Sequence, residues 1–381
     1  MKVLSLFANI GVAEAFLADI GVNVVVANEL VPRRAKLYSQ IYPHTEMICG
    51  DITQGEIFQE IIEKSISNNV DTILATPPCQ GISRAGKQEK NDIRNLLIVP
   101  VVKAIIQLSP KYVIIENVPQ FLDTEIVVED KKEKIITYLQ KQLGSDYYFD
   151  TNVIDTKNYS VPQTRQRTII LLSRKDQAVR WVMPTADEQL ISLQKAIGDL
   201  PSLDPWISDI PEQDVFSIFP DFKEKTQKAR QISIWHTPPS HVLRQVITMQ
   251  HTPSGKTAFD NKKYIPLKFD GTPVRGYKST YRRLRWEDPA STVTMDNRKI
   301  SSQNNVHPGH YIGVDKNGDA VYSDPRALTL FELMRIMSLP DDWPLPIDAN
   351  PVFVRSIIGE GIPPLFIKKV FENCLRGQEK K

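Results

Sequence analysis

The chain has 381 residues, of which 41% are apolar and 24% charged, and its formal net charge is +2. This composition is typical of globular proteins and excludes collagen-like and disordered classes, and no apolar run approaches the roughly 20 residues that span a bilayer. The balanced charge confines any nucleic-acid surface to a local patch. The N-terminal apolar run is too short for a signal peptide, and three cysteines (Cys49, Cys79 and Cys374) at this spacing predict a reducing compartment.

The first 175 residues alternate short apolar runs with helical patterns. The runs at 3–7, 22–27, 72–75 and 112–115 are rich in Val, Ile and Leu, which is typical of strands covered on both faces. Helices are predicted near 12–20, 32–42, 56–66 and 95–108. This alternation predicts an α/β fold with a Rossmann-like, mostly parallel sheet and helices on both faces. Ligands of such sheets bind beyond the carboxyl ends of the strands.

From about residue 176 the pattern becomes loop-rich, with recurring prolines and scattered aromatics. Between residues 255 and 285 there are nine Lys or Arg residues but only two acidic residues, Asp260 and Asp270. This interleaving of basic and aromatic residues predicts a smaller domain at 176–280 that recognises the DNA sequence. The alternative interpretation is a surface lobe with its own small core. Its aromatics are Trp235, Tyr264, Phe269, Tyr277 and Tyr281. Helical patterns return at 328–338 and 364–374.

Small and acidic residues follow the first strands. Phe7-Ala8-Asn9-Ile10-Gly11 follows the first strand, Glu29 follows the second, and Asp51 comes after the third strand region. Backbone amides in such a loop can approach a ligand, and a carboxylate after the second strand suits ribose hydroxyls. Each feature alone is compatible with ordinary turn chemistry. Together they predict a site for an adenosine-containing ligand, and the lack of a G-x-G-x-x-G motif disfavours a dinucleotide.

Reactive side chains lie at the ends of three further strands. Cys79 comes after Thr76-Pro77-Pro78, where the prolines fix the backbone, and Glu116 ends the strand at 112–115. A lone cysteine is ordinarily a small buried hydrophobe, but this placement favours a nucleophile. Glu116 is either a proton donor in a partly dry pocket or a solvated strand end. Arg165 and Arg167 precede a strand at 168–172 and are predicted to share one face, where they suit a phosphate or a base carbonyl; the alternative is a solvated edge.

The motifs, in their order, resemble those of the bacterial cytosine-5 DNA methyltransferases of restriction-modification systems over essentially the full length. They are Leu6-Phe7-Ala8, Pro78-Cys79-Gln80, Glu116-Asn117-Val118, the segment 163–167, and C-terminal blocks around 326–343 and 359–364. The segments 282–284 and 289–294 resemble the block that follows the family's target-recognition region.

The resemblance implies a methyl transfer from S-adenosylmethionine, with S-adenosylhomocysteine as product, to carbon 5 of a flipped cytosine through a covalent Cys79 adduct, without a metal. It implies catalytic roles for Cys79, Glu116, Arg165 and Arg167. The cofactor contacts it implies are Phe7, Ala8, Asn9, Ile10, Gly11, Glu29, Leu30, Asp51, Ile52, Pro78, Leu97, Glu360 and Gly361. The DNA contacts expected are Gln80, Ser83, Arg84, Lys87, Arg282 and Arg283, and residues 80–97 match a loop that closes over DNA.

The expected organisation is a cofactor-binding catalytic domain at 1–175, a target-recognition domain at 176–280, and a DNA-facing hinge block with C-terminal helices at 281–381. The expected partners are double-stranded DNA and, as a genetic partner, a cognate restriction endonuclease. A cytoplasmic monomer that does not engage membranes is expected.

Several positions depart from the family pattern. Ser5 stands where the family has an acid, Asn9 and Val12 stand where it has glycines, and Glu360 stands where it has asparagine. Two alternatives therefore stay open: a transfer-RNA cytosine-5 methyltransferase and a catalytically impaired DNA-binding homologue. A nucleotide-dependent dehydrogenase is disfavoured. His236, His241 and His251 are interpreted as structural or phosphate-contacting residues, because no cysteine lies near them.

Overall fold

The computed structural model describes residues 1–78 and 93–379. In the first half of the chain, strands and helices alternate as predicted. In chain order they are β1 (Lys2–Leu6), β2 (Asn23–Glu29), α1 (Pro32–Ile41), β3 (Glu46–Cys49), α2 (Gly55–Ser67), β4 (Thr72–Ala75), α3 (Ile98–Leu108), β5 (Tyr112–Asn117), β6 (Glu125–Val128), β7 (Lys131–Lys134), α4 (Ile135–Leu143), β8 (Tyr147–Asp155) and β9 (Gln166–Arg174). The helix predicted at 12–20 is instead two short 3-10 helices, Val12–Glu14 and Ala18–Ile20.

Seven of these strands form one sheet in the order β3-β2-β1-β4-β5-β9-β8. The first five are parallel to their neighbours, and β9 and β8 continue the sheet antiparallel. The predicted mostly parallel α/β fold is therefore confirmed. The chain runs outward from β1 through β2 to β3 and then returns to place β4 on the other side of β1. This switch point opens a crevice beyond the carboxyl ends of β1 and β4, where ligands of such sheets bind.

Alternation along the strands supplies both faces of the sheet with apolar side chains. Leu4 and Ile73 belong to the core under α2, α3 and α4, whereas Val3 and Leu74 pack on the opposite side with α11 (Pro364–Glu379). Coverage on both faces explains why the strands are apolar almost throughout.

The second half of the chain contains short elements joined by long loops. They are α5 (Leu193–Ile197), β10 (Trp206–Ile207), α6 (Glu212–Ile218), α7 (Phe222–Ile232), β11 (Ser240–His241), α8 (Leu243–Gln250), β12 (Tyr311–Val314), β13 (Ala320–Tyr322), α9 (Leu330–Ile336), α10 (Pro351–Ile358) and the helix α11. Two small cores, around Val215 and around Met249, stabilise the lobe between α5 and α9.

The chain enters this lobe at Ser202–Leu203 and leaves it at Asp324–Arg326, and these two segments are bonded to each other. We call this pair of segments the neck. The carboxylate of Asp324 accepts hydrogen bonds from the Leu203 backbone N–H at 2.8 Å and from the Ser202 hydroxyl at 2.9 Å. Arg326 donates to the Leu203 carbonyl at 2.8 Å and pairs with Asp324 and Glu332. The segment before the neck belongs to the catalytic body: Trp181 donates to the Val370 carbonyl, and α5 packs against α9. Trp181 and α5 thus pack with the catalytic body, although both lie after residue 176.

No helix among the described residues is long and apolar enough to cross a membrane.

Candidate active site and cofactor pocket

The loop after β1 has a backbone that few residue types adopt. Phe7, Asn9 and Gly11 all have left-handed conformations, with φ of 60°, 53° and 77°. Asparagine tolerates this region better than most residues, which explains how Asn9 stands at a position where glycine is expected. A methyl group on Gly11 would clash with the ring of Tyr42, whose hydroxyl donates to the Gly11 carbonyl at 2.6 Å. Gly11 therefore fixes the path of the loop.

Glu29 joins this loop to the start of α1. Its carboxylate accepts the backbone N–H of Asn9 at 2.9 Å and that of Val31 at 2.8 Å, and the residue is 5% exposed. Each carboxylate oxygen has a second lone pair for a ligand hydroxyl. The neighbouring Leu30 side chain is 59% exposed, so an apolar surface lies beside the carboxylate.

Asp51 follows the end of β3 beside Glu29, because Glu29 is opposite Cys49 and its carbonyl accepts the Gly50 N–H at 3.0 Å. Its Oδ1 accepts from the backbone and hydroxyl of Thr53, at 2.9 and 2.8 Å. The described residues donate no hydrogen bond to its Oδ2. This oxygen is therefore an available acceptor at the crevice.

The acid missing at Ser5 is supplied by another residue, Glu14. Its buried carboxylate contacts the Ser5 hydroxyl at 2.5 Å and also the hydroxyl of Tyr38. Burial raises the pKa of the Glu14 carboxyl to about 7, although these two hydrogen bonds oppose the shift. A carboxyl group thus lies behind the loop despite the serine, a compensation that the sequence alone did not reveal.

The C-terminal block reaches the same loop. Gly361 packs against Val12 so closely that a Cβ there would lie 3.0 Å from the valine Cβ. Glu360 forms a bidentate pair with Arg34 of α1, at 2.8 and 2.9 Å. Sequence reasoning assigned Glu360 to the cofactor but did not anticipate Arg34, whose partner is 326 positions away.

Glu116 and Arg167 meet at the ends of β5 and β9. Glu116 is opposite Ile169 in the antiparallel register, so Arg167 lies diagonally across on the same face. The Nε of Arg167 is 2.7 Å from Oε1 of Glu116, and the two side chains are 12% and 9% exposed. A carboxyl and a guanidinium of fixed mutual orientation can together bind a planar ring that carries both donors and acceptors.

Asn117 connects this pair to the strand that precedes Cys79. Its side-chain amide donates to the Pro77 carbonyl at 3.0 Å and accepts from the Val118 N–H at 2.9 Å. The hydroxyl of Thr76 donates to the Phe7 carbonyl at 3.2 Å. The backbone two residues before Cys79 is therefore anchored between the cofactor loop and the Glu116 strand. Cys79 itself, with Gln80, Ser83, Arg84 and Lys87, lies outside the described residues.

The structure does not bring Arg165 to Glu116. Its side chain is 2% exposed and donates to the carbonyls of Val293 at 3.1 Å and of Gly359 at 2.9 Å. Arg165 precedes β9, whose first residue is Gln166, so the strand alternation that was expected to place both arginines on one face does not extend to it. Among its contacts, Arg165 thus links the start of β9 to the C-terminal block at Gly359.

The predicted DNA contact at Arg283 is also wrong. Its side chain is fully buried and donates to the carbonyls of Met249, His307 and Ser323, whereas Arg282 is exposed. The histidines of this lobe hold its framework, since His241 accepts from the Ala327 N–H at 3.0 Å. Burial lowers the pKa of His241 to about 3, which keeps it a neutral acceptor.

Three other predicted cofactor residues differ in their exposure. Ile52 is buried, Leu97 packs at the edge of the central core, and Pro78 is half-buried. No group of three or more potential metal ligands occurs among residues 1–78 and 93–379.

Comparison with known proteins identifies the relatives of the chain. The chain is 40% identical to the Type II methyltransferase M1.HgaI of Avibacterium volantium, with 96% of each chain covered. It is 26% identical to the Type II methyltransferase M.DdeI of Desulfomicrobium norvegicum, covering 90% of this chain and 79% of that protein.

Solved structures share the fold. A protein of E. coli described as a DNA modification methyltransferase encoded within a prophage superposes with a TM-score of 0.64 at 18% identity, covering 99% of both chains. The Entamoeba histolytica methyltransferase EhMeth gives a TM-score of 0.60 at 15% identity, covering 100% of this chain and 99% of that one. Residues 1–376 match the family described as C-5 cytosine-specific DNA methylase. The chain therefore belongs to the C-5 cytosine-specific DNA methylases and is a DNA (cytosine-5-)-methyltransferase.

Proposed function

We propose that this methyltransferase transfers the methyl group of S-adenosylmethionine to a flipped cytosine in a specific duplex sequence, with Cys79 as the nucleophile. The observation that carries the proposal is the Glu116–Arg167 ion pair beside Asn117, which holds the Pro77 carbonyl. A base bound by the pair would lie next to the segment that leads into Cys79.

The crevice fits the proposed cofactor. Glu29 has lone pairs for the ribose hydroxyls, Leu30 offers an apolar surface for the adenine, and Oδ2 of Asp51 suits its exocyclic amine. Oδ1 of Asn9 is buried without a hydrogen-bond partner among the described residues. This oxygen can therefore accept a hydrogen bond from a cofactor bound at the loop. Bound S-adenosylmethionine supplies an electrophilic methyl group. The other proposed contacts are Phe7, Ala8, Ile10, Gly11, Ile52, Pro78, Leu97, Glu360 and Gly361.

The side chains of the site account for the activation of the base. The Cys79 thiolate adds to carbon 6, which makes carbon 5 enamine-like. Glu116 donates a proton or a hydrogen bond at ring nitrogen 3, and Arg167 donates to the carbonyl oxygen. After carbon 5 is methylated, a base removes its proton, the bond between carbon 6 and sulfur breaks, and the thiolate returns. A proton given to ring nitrogen 3 goes back to Glu116 in this step. Flipping makes carbons 5 and 6 accessible, at a cost of a few kcal/mol.

The proposed partner is double-stranded DNA, read by the lobe beyond the neck. Gln80, Ser83, Arg84, Lys87 and the exposed Arg282 remain proposed DNA contacts. The likeness to Type II methyltransferases supports a cognate restriction endonuclease as the genetic partner. We propose that the protein works in the cytoplasm as a monomer, because one chain carries both the cofactor crevice and the base-binding pair.

A comparison of two thiols tests the nucleophile. Cys79→Ser should abolish methyl transfer while binding of DNA and S-adenosylhomocysteine persists. Cys49→Ser, which removes an exposed thiol, is the control and should retain turnover. The substrates are plasmid DNA and total transfer RNA with tritiated cofactor. Turnover by the Cys79→Ser variant would refute the nucleophile, and methylation of RNA alone would favour the transfer-RNA alternative.

Bisulfite sequencing of DNA from a host that expresses the chain would reveal the recognition sequence. A duplex with 5-fluorocytosine at the target should then trap a covalent adduct. Fluorine replaces the proton on carbon 5, so no base can remove that proton and the enzyme is not released. An unshifted band under turnover conditions would contradict the covalent mechanism. Calorimetry that detects no S-adenosylmethionine binding would favour the impaired homologue.

A further inference from the structure

A short turn in the recognition lobe, residues 267–273, presents an aromatic side chain to solvent. Phe269 is 95% exposed, the highest value among the large hydrophobic residues that the structure describes. At the tip of this turn, the faces of the ring are therefore accessible to a partner outside the chain.

The turn itself is well defined. Leu267 pairs with Pro273, the Lys268 N–H donates to the Thr272 carbonyl at 2.8 Å, and the Gly271 N–H donates to the Lys268 carbonyl at 3.1 Å. Oδ1 of Asp270 accepts both the backbone N–H and the hydroxyl of Thr272, at 2.9 and 2.6 Å. These bonds hold Phe269 at the tip, so little ordering would be needed when it binds.

The surroundings of the ring are basic. Lys268 and Arg275 flank the turn and form no ion pair with the described residues, and Asp270, the acid of the turn, is engaged by Thr272. A second aromatic, Tyr277, is 78% exposed. Cations beside an exposed ring favour a polyanion with flat apolar faces, which is the chemistry of stacked base pairs and phosphates.

The turn stands on a packed base that leads to the catalytic strand. Thr257 pairs with Arg282, and the Ala258 N–H donates to the Tyr281 carbonyl at 2.9 Å above the core around Met249. Farther along the chain, Ala290 pairs with Gln163, four residues before Arg167. The turn is thereby linked through ordered backbone to the strand that holds the base-binding pair.

We propose that Phe269 is a DNA wedge, whose ring inserts between adjacent base pairs of the bound duplex while Lys268 and Arg275 contact phosphates. Apolar side chains that enter a base step unstack it and bend the duplex, which allows more of the protein surface to engage. The proposal rests on the DNA substrate and not on the identity of the nucleophile.

The test measures binding without turnover. The probe is a duplex of about 24 base pairs that carries the sequence found methylated in the host, bound with S-adenosylhomocysteine and substituted with 2-aminopurine at one position at a time. The wild type should raise the fluorescence at one step besides the target cytosine. Phe269→Ala should abolish that signal and weaken Kd by about 5- to 100-fold, whereas Phe269→Trp should retain both.

Tyr311→Ala is the matched control, because Tyr311 is an exposed aromatic of the same lobe, 60% exposed, on the β12–β13 hairpin. It should leave the fluorescence profile and Kd unchanged. The proposal is overturned if Phe269→Ala keeps the wild-type profile and affinity, or if Tyr311→Ala loses them equally. A Cys79→Ser variant that binds and unstacks DNA would separate the wedge from the chemistry, since only the latter needs the thiol.

Discussion

Glu14 predicts a specific dependence of stability on pH. Its pKa of about 7 in the folded chain exceeds its ordinary value of 4.5, because the carboxyl is fully buried. Between these pH values the folded chain holds a proton that the unfolded chain has released. The free energy of unfolding therefore falls by about 1.4 kcal/mol per pH unit, or roughly 3 kcal/mol in all. This stability is fully present below pH 4.5 and is lost as the pH rises through 7.

The substitution Glu14→Gln keeps the shape of the side chain and removes the titration. Urea unfolding at several pH values from 4.5 to 8, followed by tryptophan fluorescence, should show the variant gaining about 3 kcal/mol relative to the wild type as the pH rises. Exposed Glu188→Gln is the control and should follow the wild type throughout. Parallel curves for Glu14→Gln and wild type would refute a carboxyl that titrates near neutrality behind the loop.

Three further predictions concern the site. Gly11→Ala should weaken S-adenosylhomocysteine binding at least about tenfold in calorimetry, because alanine is strained at φ +77° and clashes with Tyr42; wild-type affinity would contradict the rigid loop. Arg34→Ala should weaken the same binding by about 3- to 10-fold, since the pair with Glu360 no longer holds the C-terminal block; no change would show that the pair does not order the pocket. Arg167→Lys should lower kcat/KM by about 100-fold or more with cofactor Kd unchanged, because lysine lacks the planar fork; an unaffected rate would exclude the guanidinium from catalysis.

The sequence was sufficient for features that depend on local pattern. Apolar runs predicted the strands β1, β4 and β5 to within two residues, and the parallel topology then placed Glu29 and Glu116 at the ligand edge. The sequence pattern did not reveal that β5 and β9 pair antiparallel. The structure gives this pairing and its register, which brings Glu116 to Arg167.

Features that depend on distant partners could not be predicted. Arg165 finds its carbonyls 128 and 194 positions away, and Arg283 is buried by loops whose paths no periodicity encodes. Both arginines were predicted to be ligand contacts, because the sequence alone does not distinguish an arginine that binds phosphate from one that donates to buried carbonyls. Glu14 was missed for a related reason: the replacement for the acid absent at Ser5 comes from another turn of the chain.

The neck has a consequence for how such enzymes diversify. Since Leu203 and Asp324 are bonded to each other, the two ends of the intervening segment are held together. The stretch with Ala290 and Val293 must be kept, because it bonds to Gln163 and Arg165 beside β9. The other loops of the segment can change in length at little cost, because loop closure costs little more as a segment grows. A lobe of different specificity that retains Ala290 and Val293 would thus leave the catalytic body intact, and new target sequences could arise by exchange of the remaining loops rather than by point substitution.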